Sequence, residues 1–132
     1  MKIIRLLLID DEEDFRTTLA GRLKRRNIDV ADVGSGQEAV ELTREKPFDV
    51  VIVDVKMPGM DGIETLRQIK EIDPFIEVIL LTGHASIEAG IEGMKLGAYD
   101  YVIKPCNVNE LLIKVEDAYQ RKLLEEEHSR EK

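Results

Sequence analysis

The chain has 132 residues, 43% of them hydrophobic and 35% charged, with a formal net charge of −8 at pH 7. That length and balance suit one globular domain able to bury a core without disulfides, and they exclude a disordered or fibrous chain. An acidic surface repels DNA and anionic lipid, so no direct nucleic-acid binding and no membrane association is expected, whereas cations are favoured partners.

In chain order, the apolar stretch Ile3–Ile9 ends in Asp10-Asp11-Glu12-Glu13 and not in small residues, so it reads as a first strand rather than a secretion signal. Phe15, Leu19 and Leu23 then recur at four-residue spacing, with Arg16, Arg22 and Lys24 on other faces, which predicts an amphipathic helix. A second strand over Ile28–Val33 leads to a second helix opening near Ser35-Gly36 and marked by Ala39, Val40 and Leu42. The apolar run Val50–Val53 is a third strand, followed by a helix through Ile63, Leu66 and Ile69 with Asp61 as its N-cap. Glu77–Leu81 is a fourth strand, and Ser86 caps a fourth helix that ends at Gly97. Gly90 and Gly93 inside that helix, with Glu88 and Glu92 repelling at four-residue spacing, predict the least stable helix of the five. The competing explanation is that the glycines permit close packing. Tyr101–Ile103 is the fifth strand, and Leu112, Val115 and Tyr119 line a fifth helix starting near Asn109. From Gln120 the chain is almost all charged, so the expected organisation is one domain over 1–120 and a charged helical extension or linker over 121–132. The apolar runs are too short to span a bilayer, and the single Cys106 fits a reducing cytoplasm.

Strand–helix alternation repeated five times predicts an α/β, doubly wound parallel sheet with helices on both faces. Ligands in such sheets sit beyond the carboxyl ends of the strands. There the sequence places Asp10-Asp11, Asp54, Thr82 and Lys104-Pro105. Each has a plain explanation alone: first-turn acids beside a helix dipole, a turn former before Pro-Gly, a strand end, a solvated lysine. Coinciding at matching strand ends, they point to one site. Three gathered carboxylates repel by about 4 kcal/mol per close pair at intermediate dielectric, which a hard divalent cation such as Mg²⁺ (or Mn²⁺) would relieve.

Leu6-Leu7-Leu8-Ile9-Asp10-Asp11-Glu12, the loop from Asp54 to Gly62, Leu81-Thr82-Gly83-His84, and the stretch from Gly97 to Pro105 together resemble the receiver domain of bacterial response regulators, over residues 3–120. The Thr-Gly-His stretch is similar to receivers that precede transcriptional effector domains. The resemblance implies a flavodoxin-like (βα)5 fold with strand order 2-1-3-4-5. It implies that Asp54 accepts a phosphoryl group from a sensor histidine kinase, that Asp11 ligates the metal directly and Asp10 through water, and that the Lys56 backbone carbonyl completes the protein contacts. Thr82 and Lys104 would meet phosphoryl oxygens, Lys104-Pro105 would be cis, and Thr82 with Tyr101 would form the switch pair. The fourth helix, fifth strand and fifth helix would signal to an effector domain or partner protein, with a phosphorylation-dependent dimer as one form of output. The chain would catalyse only its own phosphoryl transfer and slow autodephosphorylation.

Some residues depart from the family pattern or bear on its variation. Cys106 stands where many receivers carry Phe, and Lys56 and His84 occupy positions that influence dephosphorylation. His84 and His128 lack the Cys-rich spacing of a zinc site, and Met57 and Met60 read as gap-fillers. A haloacid-dehalogenase-like phosphatase would need an acid two residues after the nucleophile, where this chain has Lys56. A flavodoxin-like nucleotide binder would need a small-residue phosphate cradle after the first strand, where five consecutive acids stand. A receiver module of a hybrid kinase remains the other alternative.

Overall fold

The structure, a computed structural model, describes residues 3–83 and 87–131. Strands β1 (Arg5–Ile9), β2 (Asp29–Val33), β3 (Val50–Asp54), β4 (Glu77–Thr82) and β5 (Asp100–Ile103) alternate with helices α1 (Glu13–Lys24), α2 (Gly36–Glu45), α3 (Gly62–Ile72), α4 (Ile87–Lys95) and α5 (Val108–Arg130). The strands form one parallel sheet in the order β2-β1-β3-β4-β5, as the resemblance implies. Ile9 pairs with Val53, Asp54 with Leu81 and Thr82 with Ile103, so the polar strand ends reach one edge together.

The period of two in the strands explains the layers. Leu6, Leu8, Val50, Ile52, Ile79 and Leu81 pack with Leu19, Leu23, Leu111 and Val115 of α1 and α5. Leu7, Ile9, Val51, Val53, Val78 and Leu80 pack on the other face with Ala39, Leu66 and Ile69 of α2 and α3. Continuous apolar runs such as Leu6 to Ile9 are buried at every position because both faces are covered.

Local capping sets several boundaries. The Ser35 hydroxyl accepts from the Glu38 N–H at 3.2 Å, and the Asp61 carboxylate accepts from the Glu64 N–H at 2.9 Å, satisfying donors that have no partner within the helix. The fifth helix starts earlier than expected: Asn107 is its cap, accepting from the N–H groups of Asn109 at 2.7 Å and Glu110 at 3.4 Å. The first strand starts later, at Arg5, where the pairing with Asp29 begins. The expected Ser86 cap and His84 lie outside the described residues.

In α4 the close-packing explanation of the glycines describes what the fold does with them. A Cβ at Gly93 would stand 2.2 Å from Leu80 Cδ1, and one at Gly90 would stand 3.2 Å from Thr82 Cγ2 and 3.6 Å from the Tyr101 ring. The two glycines let the helix backbone lie against β4 and β5 beside the expected switch pair. α5 runs past residue 120 without interruption, and Lys122 within it is buried against Asp49.

Candidate functional site

Asp10, the first residue beyond β1, is fully buried. Its N–H donates to the Val33 carbonyl at 3.2 Å, and its own carbonyl accepts from Arg16 Nη1 at 2.8 Å. Arg16 is held in turn by Asp32 at 2.8 Å, so the ends of β1 and β2 and the first turn of α1 are tied at one point. Asp54 ends the central strand, 7% exposed, with one carboxylate oxygen accepting from the Lys56 N–H at 3.2 Å.

Lys104 reaches across to both carboxylates. Its ammonium lies 2.8 Å from Asp10, 3.1 Å from Asp54 and 3.2 Å from Glu12, and 4.4 Å above the Phe15 ring. The Lys104 N–H donates to the Thr82 carbonyl at 2.7 Å, which fixes the root of the side chain against β4. The peptide bond from Lys104 to Pro105 is cis. Burial pushes the Asp54 carboxyl up, and the neighbouring Asp10 charge adds to that against the opposing pull of Lys104, leaving it above the usual carboxylate range. Burial works against the Lys104 charge, but the hydrogen bond and charge of Asp10, with those of Asp54, hold the lysine above its ordinary value. Thr82 is fully buried, and its hydroxyl finds no hydrogen-bond partner among the described residues. An unsatisfied buried hydroxyl costs about 1–3 kcal/mol, so this position favours an incoming acceptor.

The carboxylates of Asp10, Glu12 and Asp54 each offer an oxygen within 4.8 Å of the others. An all-oxygen donor set of this kind fits a hard divalent cation, and the Lys104 ammonium already stands among the three as a positive charge. Asp11, the direct ligand implied by the resemblance, is exposed and is not one of the three. Tyr101 is half-buried and packs on the α3 side of the sheet.

Sequence reasoning named Asp10, Asp54, Thr82 and Lys104 but missed three supporting residues. In sequence Glu12 is one of a run of acids, and Arg16 lies off the apolar face of its helix. Nothing in the sequence marks Gly62 beyond its place in the loop, yet a Cβ there would stand 2.3 Å from the Asp54 carbonyl oxygen and 2.7 Å from Val55 Cα. Its N–H donates to the Val55 carbonyl at 2.9 Å, so α3 starts directly against the strand end that carries Asp54.

Among known proteins, the family model described as "Response regulator receiver domain" matches residues 6–116. The transcriptional regulatory protein ZraR of Escherichia coli K12 is 41% identical over 115 residues, covering 87% of this chain and 26% of ZraR. The regulatory protein AtoC of the same organism is 34% identical over 125 residues, covering 95% of this chain and 27% of AtoC. The chain thus spans about a quarter of the length of these relatives. A response regulator receiver domain protein from Clostridium thermocellum superposes with a TM-score of 0.89 at 36% identity, covering 92% of this chain and 98% of that one. NtrX of Brucella abortus superposes with a TM-score of 0.93 at 27% identity, covering 99% of this chain and 30% of that one. Among the described residues, no helix is long and apolar enough to cross a membrane.

Proposed function

This chain belongs to the response regulator receiver family, and from that premise we propose that it is a phosphorylation switch whose acceptor is Asp54. The supporting observation is the Lys104 ammonium bridging Asp10 and Asp54, with a buried Thr82 hydroxyl at the end of the next strand that has no hydrogen-bond partner among the described residues. One Asp54 carboxylate oxygen forms the new P–O bond as the P–N bond to the donor imidazole of a histidine kinase breaks, and the electron pair leaves with the imidazole. Lys104 neutralises charge on the phosphoryl oxygens, and Thr82 donates its hydroxyl hydrogen to one of them. A bound Mg²⁺ would supply further positive charge there and offset the repulsion between Asp10 and Asp54. Asp10, Asp11 and Asp54 would hold it, with the Lys56 carbonyl as a further contact.

In this reading, Thr82 and Tyr101 couple the acceptor to the face made by α4, β5 and α5, which acts on an effector domain or partner protein, as a dimer in one form of output. Residues 1–120 serve as the receiver and 121–132 as the helical extension toward that effector, in the cytoplasm and without touching DNA. Acetyl phosphate with Mg²⁺ should add one phosphoryl group, read by intact-mass spectrometry, and chelation should prevent it. A chain that stays unmodified overturns the proposal.

Mg²⁺ should also raise the melting temperature of the unphosphorylated protein, because a ligand that binds the folded state alone stabilises it by about 2.7 kcal/mol at a hundredfold excess over its Kd. Asp11→Ala should remove most of that rise. Glu12→Ala should leave most of it, since the resemblance puts the direct contact on Asp11 and the Glu12 side chain is 66% exposed. Calorimetry with and without Mg²⁺ checks both, and the opposite ranking would assign the ligand to Glu12.

A further inference from the structure

Past Tyr119 the apolar packing of α5 thins to the half-buried Leu123, and the buried residue there is Lys122. A lysine is almost never buried without a partner. Two carboxylates hold this end of the helix, both buried at the amino-terminal edge of the sheet, opposite the edge of Asp54 and Thr82. Asp49 precedes β3 and Glu77 opens β4, and the Glu77 N–H donates to the Asp49 carbonyl at 3.2 Å. Each carboxylate has one cation from the body of the domain: Arg5 of β1 donates to Asp49 at 2.8 Å, and Lys70 of α3 donates to Glu77 Oε1 at 3.2 Å. Each has a second cation from α5. Lys122 Nζ lies 2.7 Å from Asp49 Oδ1, and Arg121 Nε lies 3.1 Å from Glu77 Oε2. The Arg121 contact is one of charge alone, because Glu77 Oε2 accepts no hydrogen bond among the described residues. Glu125 and Glu126, one turn on, lie 2.9 and 3.3 Å from the same two cations. The Arg121 guanidinium also stands 5.6 Å from the centre of the Tyr99 ring, just before β5.

We propose that Arg121 and Lys122 form a releasable latch that holds residues 121–126 of α5 on the sheet as a rigid arm. Neighbouring residues on a helix point about 100° apart, so two consecutive cations can meet two adjacent strands. Lys122 supplies most of the hold, because its side chain is 6% exposed against 53% for Arg121, and exposed ion pairs are weak. The latch can open. When α5 lifts, Asp49 keeps Arg5 and Glu77 keeps Lys70, so neither carboxylate is left buried without a cation. Arg121 and Lys122 thus touch the starts of β3 and β4 and the approach to β5, the strands whose other ends carry Asp54, Thr82 and Lys104. An arm seated there moves with those strands and not as a free tail. The latch goes beyond the phosphorylation reading and does not depend on it.

The test is backbone ¹⁵N relaxation by NMR on the full chain. In the unaltered protein, order parameters should stay near about 0.85, the value of a rigid backbone, as far as Glu126. The double variant Arg121→Met, Lys122→Met keeps long side chains and good helix formers while removing both charges. Its order parameters should fall toward about 0.6 from Leu123 onward, while residues 111–118 keep theirs. Leu123→Ala removes the apolar contact instead and should lower the order of the arm less than the Met pair does. Order lost directly past Gln120 in the unaltered chain, order kept in the Met pair, or a larger loss from Leu123→Ala overturns the proposal. Should the Met pair fail to fold, Lys122→Gln alone gives the same readout: a smaller drop from Leu123 onward supports the latch, and no drop overturns it. Failure of acetyl phosphate on the unaltered chain would strike the acceptor reading alone and leave this measurement intact.

Discussion

Asp54→Asn is expected to end phosphoryl incorporation from acetyl phosphate while raising the melting temperature of the metal-free protein. The first effect follows from chemistry: an amide oxygen is a far poorer nucleophile than a carboxylate, and Lys104, which is positioned on Asp54 at 3.1 Å, cannot compensate for that. The second follows from the electrostatics. Burial and then Asp10 push the Asp54 carboxyl above its ordinary range, so the folded state carries a penalty for its charge. The penalty is fully present above the raised folded pKa and disappears as pH falls below the unfolded value near about 4. The stabilising effect of Asn should therefore be seen at neutral pH and vanish in acid. Lys104 keeps Asp10 and Glu12 as partners in the variant. Intact-mass spectrometry reads the first effect and calorimetry across pH reads the second. Phosphate retained on the variant would remove Asp54 as the acceptor, and a lowered melting temperature at neutral pH would refute the charge argument.

Asp49→Asn is expected to destabilise the protein by about 3 kcal/mol, the lower end for breaking a buried ion pair. Asp49, just before β3 and 2% exposed, accepts from the Arg5 N–H and guanidinium, both at 2.8 Å, and from Lys122 Nζ at 2.7 Å. Without it, Lys122 stays buried with Glu126 at 3.3 Å as its remaining carboxylate. Burial alone would raise the Asp49 carboxyl, but hydrogen bonds from Arg5 and Lys122 outweigh burial and hold it below the usual range. Its stabilisation is thus fully present above the unfolded pKa, near about 4, and is lost as pH falls through the depressed folded value. The gap between wild type and variant should close over that acid window, opposite in sign to the effect at Asp54. Urea unfolding at pH 7 and at acid pH measures both. A double change, Asp49→Leu with Lys122→Met, should recover much of the loss, since an apolar pair of similar volume avoids the desolvation cost. An Asn variant as stable as wild type at pH 7 would show that the pair does not hold α5 to the sheet.

The elements that depend on neighbours within a few residues were legible in the chain. Alternating β-branched runs and four-residue repeats placed the strands and helices, and Ser35 and Asp61 cap the helices the sequence assigns to them. Parallel crossovers bring all strand ends to one edge, so Asp10, Asp54, Thr82 and Lys104 could be grouped before any distance was known. What needed the tertiary structure is what depends on residues far apart. Whether Glu12 or Asp11 joins the carboxylates depends on which one meets Lys104, 92 residues from Glu12. The charged run after Gln120 reads as solvated because no local pattern marks its partner, yet Lys122 is drawn inward by Asp49, 73 residues away. Gly93 looks like a weak point by helix propensity, a property of the backbone alone, whereas its value comes from Leu80 occupying the space a side chain would need. Periodicity and capping are short-range, so the sequence by itself determined the α/β alternation and the strand-end residues. Ion pairing and close packing act between distant segments, so only the folded chain decided which acids share Lys104 and which lysine is buried.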